Sequence, residues 1–223
     1  MKDNVKPTVD MNGYDFFFFD FDGVIVDSLG IKAEAFGSLF EEYGKDVMDK
    51  VIEYHLDNGG VSRYEKFKYY YNELLGQEIT PEISDNLDKE YSKKVVEKVV
   101  SAVEIPGVKD LLKELNSRGK SCFVVSATPQ EEIRRITRMK GMDGFFKDVV
   151  GSPRKKGENL KLLLDEYFVS LEKAIFFGDA KSDYEAARSN GVDFVGVCYG
   201  DSGELSQLEG VRKISDFRQC SFD

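Results

Sequence analysis

Three observations predict an α/β fold for the 223-residue chain: a Rossmann-like parallel sheet flanked by helices, with an inserted α-helical cap. Short apolar runs alternate with amphipathic helical stretches, the pattern of strands joined by crossover helices. Several of these runs end in small, hydroxyl or acidic residues, as strands do where they meet a site. The interval 29–104 breaks the alternation, showing helical periodicity and no clear strand. The expected division is a core of residues 1–28 and 105–223 with a helical cap at 29–104.

Taken in order, Tyr14–Asp20 reads YDFFFFD between Gly13 and Gly23. An aromatic run of that length is a buried strand. The next interval is rich in Glu, Lys and Tyr. Ala33, Phe36, Leu39 and Phe40 form one helical stripe, Phe67, Tyr70, Tyr71 and Leu74 a second, and Val95, Val96, Val99 and Val100 a third. Pro106-Gly107 marks the return to alternation. Val108, Leu111, Leu112 and Leu115 then recur at helical spacing before the stop at Gly119. A second strand is expected over 121–126, SCFVVS. A helix with Ile133 and Ile136 on one face runs over Glu131–Lys140 to Gly141. Asp148–Gly151 form a third strand, and Leu160, Leu163, Leu164 and Tyr167 another helix face. AIFFG at 174–178 is the fourth strand, Asp183–Asn190 a helix ended by Gly191, and Phe194–Cys198 a fifth strand. Val211–Ile214 add an edge strand. Right-handed crossovers make such a sheet parallel and cover both its faces.

Composition removes several function classes. Hydrophobic residues make up 41% and only five prolines occur, so the chain folds compactly. Acids outnumber bases 41 to 31, for a net charge of −10. That surface repels polyphosphate, so no nucleic-acid partner is expected. Three cysteines, Cys122, Cys198 and Cys220, lack metal-type spacing and fit a reducing compartment. His55 is the single histidine, which excludes a multi-histidine metal site. The apolar runs are far too short to span a bilayer, and Met1–Asp10 is polar with no hydrophobic signal region. A cytoplasmic protein without a membrane partner is expected. The sequence carries no signal for an oligomeric state.

Ligands of open parallel sheets bind beyond the carboxyl ends of the strands. The first strand ends in Asp20-Phe21-Asp22-Gly23 and the second in Ser126-Ala127-Thr128. After the third come Arg154-Lys155-Lys156, and the fourth ends in Gly178-Asp179 with Asp183 four residues later. Clustered carboxylates repel one another unless a hard cation neutralises them. Magnesium suits an oxygen-only site and brings phosphate as its usual co-ligand. With a serine hydroxyl and a lysine to hold phosphate oxygens, these are the parts of a magnesium-assisted phosphoryl-transfer site.

DFDGVIVDS, the serine of VVSAT, the lysine of GSPRKKGENL and FFGDAKSDYEAA resemble, in order, the four motifs of the haloacid dehalogenase-like hydrolases. The resemblance covers essentially the whole chain. The helical insert is similar to the cap of the phosphoglycolate phosphatase and β-phosphoglucomutase branch. The resemblance implies that Asp20 is a nucleophile forming an aspartyl-phosphate. It makes Asp22 the acid that protonates the leaving oxygen and then the base that deprotonates water. Gly23 permits the sharp exit from the strand. Magnesium would be held by Asp20, the Asp22 carbonyl and Asp179, with Asp183 acting directly or through water. Ser126 and Lys156 would grip the phosphoryl group, with Gly23, Ala127 and Thr128 lining its site.

Simpler roles stand beside these. Asp183 can cap a helix, Ser126 can be a packing residue, and the loop can present Lys155 instead of Lys156. The spacing from Lys156 to Leu160 favours Lys156. In the cap, Asn58-Gly59-Gly60 forms a turn that can bring Arg63 to the substrate, or Arg63 can be a solvated helix start. His55 reads as a surface or inter-helix residue, and Tyr69, Tyr70 and Tyr71 as cap packing. Lys32 stands where many relatives have histidine and Ala127 where many have asparagine, departures that set the chain apart from close phosphoglycolate phosphatase or mutase types. Lys32 favours an anionic substrate if it faces the site. The acid at position 22 suits a phosphate ester, whose alkoxide needs a proton to leave. The expectation is a phosphatase for a small phosphorylated metabolite. A sugar phosphomutase using the same residues and a non-catalytic phospho-ligand sensor are the alternatives.

Overall fold

The computed structural model describes residues 9–200, 205 and 207–222. Residues 1–8, and with them most of the polar N-terminal segment read above, lie outside the described residues. A short pair, β1 (Val9–Asp10) and β8 (Cys220–Ser221), ties the two ends together in a two-stranded parallel sheet. The main sheet contains β2 (Phe16–Phe19), β3 (Ser121–Pro129), β4 (Asp148–Ser152), β5 (Ala174–Gly178), β6 (Asp193–Val197) and β7 (Arg212–Ile214). Their order is β4-β3-β2-β5-β6-β7, and every neighbouring pair is parallel.

The aromatic run of β2 divides between two cores because successive side chains point to opposite faces. Phe17 and Phe19 join one cluster with Leu112, Leu115 and Ile133, from α5 (Val108–Ser117) and α6 (Gln130–Met139). Phe18 joins the other with Leu160, Leu163 and Ala187, from α7 (Lys156–Glu166) and α8 (Lys181–Ser189). Phe18 stacks on Phe123 at 4.9 Å and Phe19 on Phe177 at 5.2 Å, so ring stacking locks the register of the central strands.

Between β2 and β3 the described elements are helical: α1 (Leu29–Leu39), α2 (Lys45–Asp57), α3 (Arg63–Tyr69) and α4 (Pro81–Ser101), with a wider π-type turn at Tyr70–Leu74. Phe36 packs against Tyr91, His55, Phe67 and Tyr70, which holds the four helices on one aromatic centre. The two connections to the sheet run side by side. Asp27 N donates to Val103 O at 2.9 Å, and Ile105 N to Ile25 O at 3.0 Å. Helix α4 also packs on α6 of the sheet layer.

Most strand ends lie within one or two residues of their expectation, and the end of the second differs most. The second strand was expected to end at Ser126, yet β3 continues to Pro129. Its pairing with β4 jumps from Val125–Val150 to Pro129–Ser152. A bulge absorbs the intervening residues and carries Ser126, Ala127 and Thr128 past the sheet edge. Among the described residues no helix is long and apolar enough to cross a membrane.

Candidate active site

The carboxyl ends of β2, β3 and β5 converge on one place. Asp20 follows β2 directly, and its N–H donates to Phe177 O at 2.9 Å, so its carboxylate is set by the sheet itself. Gly23 turns the chain with φ +78 and lies so close to Asp179 that any Cβ there would collide with that carboxylate. Asp22 accepts from Ser28 Oγ at 2.6 Å, from Thr128 Oγ1 at 3.2 Å and from the Lys32 ammonium. Lys32 also donates to Thr128 Oγ1 at 2.8 Å. Ser126 is buried, and its Oγ accepts from Thr128 N at 3.1 Å, leaving its hydroxyl hydrogen to donate elsewhere.

Lys156 opens α7. Its Nζ lies 2.9 Å from Asp20 Oδ2 and 2.5 Å from Asp183 Oδ1. Lys155 is exposed at the helix cap and Lys156 is buried, so burial separates the two adjacent lysines on the side that the spacing favoured. Asp183 stands in the first turn of α8 and not at its N-cap: Oδ2 accepts from Ala180 N at 3.0 Å, while Oδ1 pairs with Lys156.

Asp20, Asp179 and Asp183 each offer an oxygen within 4.8 Å of the others. Burial, joined by Asp183 and Asp22, pushes the Asp20 carboxyl up to about 7 against the pull of Lys156. Burial together with Asp20 and Asp183 raises Asp179 well above the usual carboxylate range. Burial works against the Lys156 charge, but Asp183 and Asp20 hold that amine above its ordinary value. Burial also opposes ionisation of Asp22, yet Lys32, Ser28 and Thr128 outweigh it and hold that carboxyl low. Asp20 Oδ1 is buried without a hydrogen-bond partner among the described residues. A repelling all-oxygen cluster with an orphaned carboxylate oxygen fits a hard divalent cation. It fits zinc poorly, as no histidine or cysteine belongs to it.

A cavity of ≈ 330 Å³ opens over this cluster, between the sheet edge and the helical insert. Asp20, Asp22, Ser126, Ala127, Thr128 and Asp179 line it from the sheet side, and Lys32 and Arg63 from the insert. Gly23, Lys156 and Asp183 stand behind that lining. The turn at Gly59-Gly60 reaches down to the sheet layer, where Ser182 Oγ donates to Gly59 O at 3.0 Å. Gly60 has φ +77, and a Cβ there would strike Ser182 and come 3.1 Å from Lys156 Nζ. Glycine is required at that contact.

Arg63 is not a solvated helix start. It is 4% exposed and its guanidinium pairs with Glu132 of α6 and, at 3.0 Å, with Asp88 of α4. It therefore clasps the insert to the sheet layer. Sequence reasoning gave no site role to Lys66, His55 or Tyr91, all of which are buried and line the cavity. Their local signals were those of an ordinary basic and aromatic helix face.

A family model for haloacid dehalogenase-like hydrolases matches residues 17–197. A phosphorylated carbohydrates phosphatase of Thermotoga maritima is 31% identical over 202 residues, 86% of this chain and 88% of that protein. A phosphoglycolate phosphatase of Psychrobacter arcticus is 26% identical over 211 residues, 89% of this chain and 90% of its own. Among solved structures, a β-phosphoglucomutase of Clostridium difficile superposes with a TM-score of 0.76 at 21% identity, covering 94% of each chain.

Proposed function

The chain belongs to the haloacid dehalogenase-like hydrolases, and from that premise we propose that it is a magnesium-dependent phosphatase for a small phosphorylated metabolite. One observation carries the reading: Asp20, with an unpartnered buried Oδ1, lines a cavity beside Asp22, Ser126 and Asp179. The phosphatase names of the two sequence relatives support the same class of reaction. Asp20 Oδ1 attacks phosphorus as the ester oxygen leaves, which forms an aspartyl-phosphate. The leaving oxygen takes its proton from Asp22. Lys32 holds that carboxyl ionised in the free protein. The negative phosphoryl group arriving beside it opposes Lys32 and favours the protonated form. Asp22 then removes a proton from water, which attacks phosphorus and frees the Asp20 carboxylate. Lys156 holds Asp20 in position, and Ser126 donates to a phosphoryl oxygen.

Asp20, the Asp22 carbonyl and Asp179 would hold magnesium, with Asp183 supporting them. Bound there, the ion would neutralise the carboxylates and the charge of the phosphoryl oxygens. The insert serves as a cap, clasped by Arg63 and the Gly59-Gly60 turn, that keeps bulk water from the intermediate. A site closed in this way suits small substrates and excludes macromolecular ones.

The experiment is phosphate release from phosphorylated sugars, acids and nucleotides, with magnesium and with EDTA. Magnesium-dependent release from at least one compound is expected. Absence of release from all of them would withdraw the phosphatase reading.

Magnesium should also stabilise the fold in a pH-dependent way. The folded Asp20 value of about 7 lies above its ordinary 3.8. Between those values the folded form binds the extra proton, so the metal-free fold loses stability as pH rises through the window. The rise in melting temperature that magnesium gives over EDTA should therefore be larger near pH 7.5 than near pH 5. An equal rise at both values would contradict the cluster's role as the metal site.

A further inference from the structure

We propose that the helical insert gives the cavity an apolar wall, built by Leu29, Phe36, Leu56 and Val61, that selects phosphate esters of small alcohols whose carbon skeleton carries no further hydroxyl or charge. This deepens the phosphatase reading and rests on it for the position of the phosphate.

The polar groups that the insert brings to the cavity are already bound within the protein. Lys32 is held by Asp22 and Thr128. Arg63 is held by Glu132, Asp88 and Ser92. Lys66 Nζ meets His55 Nδ1 at 2.8 Å and His55 O at 3.3 Å. The Tyr91 hydroxyl is fully buried, out of reach of a ligand. Asp57 and Lys181 also line the cavity, but as exposed residues that water solvates. What the insert offers a substrate is therefore mostly carbon, from Leu29, Phe36, Leu56 and Val61. The hydroxyls of a sugar or polyol would lose their water against such a wall and find few partners, which costs free energy. A hydrocarbon skeleton bears no such cost and gains from burial.

Three further features agree. Leu56 of α2 is 52% exposed although it lines the cavity, and a large apolar side chain left in water gains when a ligand covers it. Phe36 is fixed by the rings of Tyr91 at 4.2 Å and His55 at 4.6 Å, so this part of the wall is rigid before a ligand arrives. Burial, with Lys66 and Lys32 nearby, holds the His55 ring well below its usual pKa, and burial with Lys32 and Lys156 nearby pushes the Lys66 amine down to about 7. Burial leads both shifts, which marks a weakly polar surrounding on the insert side. A volume of ≈ 330 Å³ lies at the small end for ligand sites, so the skeleton is a short chain or a single ring.

The test pairs esters of matched carbon skeleton: butyl phosphate with erythritol phosphate, and cyclohexyl phosphate with inositol monophosphate. Calorimetric titration in EDTA measures binding without turnover, and phosphate release with magnesium measures the reaction. In at least one pair the wild type should bind the apolar member about tenfold or more tighter, the hydroxylated member remaining a poorer substrate. From ethyl to pentyl phosphate, binding should tighten about threefold to fourfold per methylene until the cavity is filled. Leu56→Asn and Val61→Thr, close in size to the residues they replace, should each lower the preference a few-fold. Use of the ratio cancels losses common to both members of a pair. Leu56 is half exposed, so Leu56→Asn leaves the buried core in place. A wild-type ratio near one or below in both pairs, a chain series without gain, or a ratio untouched by both variants overturns the wall. Release without the preference would leave the phosphatase and remove the wall; the preference without release would do the reverse.

Discussion

Asp20→Asn is expected to lower phosphate release by at least about 10⁴-fold on any substrate the wild type accepts. The amide has nearly the shape of the carboxylate but no nucleophilic oxygen anion. The fold should survive, because the substitution removes a negative charge that burial already disfavours, with Asp20 pushed up to about 7. Lys156 retains its pairing with Asp183 at 2.5 Å. Above pH 7 the metal-free variant should melt no lower than the wild type, whereas magnesium should raise its melting temperature less. Phosphate release paired with melting curves therefore separates lost chemistry from lost structure. Residual activity within about tenfold of wild type would remove Asp20 as the nucleophile.

Lys156→Met should produce the largest loss of stability. Its side chain and those of Asp20 and Asp183 are 5%, 6% and 0% exposed, so its removal strands two buried carboxylates beside Asp179. Breaking a buried ion pair by deleting one partner costs about 3–5 kcal/mol. For a chain of this size that corresponds to a drop of roughly 10 °C in melting temperature. Magnesium and mild acid should each recover part of it, the first by neutralising the carboxylates and the second by protonating them. Lys155→Met is the control. It changes an exposed residue at the cap of α7 and should stay within about 0.5 kcal/mol of wild type. The reverse ranking would assign the site lysine to position 155.

The place of Asp20 could be read from the chain alone, whereas the spacing favoured Lys156 without excluding Lys155. Asp20, Ser126 and Asp179 each follow an apolar run, and a parallel sheet gathers such positions at one edge. The residues that line the cavity from the insert were less legible. Arg63 read as a helix start with a possible reach toward substrate, yet its strongest partner, Glu132, lies 69 positions away on α6. Lys66 sits in the segment KFKYYY, where Lys68 is exposed and Lys66 buried two residues earlier. His55 and Tyr91 belong to α2 and α4, and only their shared contact with Phe36 brings them to one place. The extent of β3 was misjudged for a related reason: a bulge is defined by its partner strand.

What the sequence by itself determined was the order of strands and helices, the helical interruption after the first strand, and the carboxylates at the strand ends. Those features follow from side-chain periodicity and turn chemistry, which act over a few residues. Only the tertiary structure decided which of two adjacent lysines meets Asp20, and that Arg63 clasps the insert instead of standing free. It also decided that Lys66, His55 and Tyr91, which no local pattern marked, line the cavity. Burial and charge pairing are properties of neighbours in space, and helix packing brings together neighbours that no local pattern specifies.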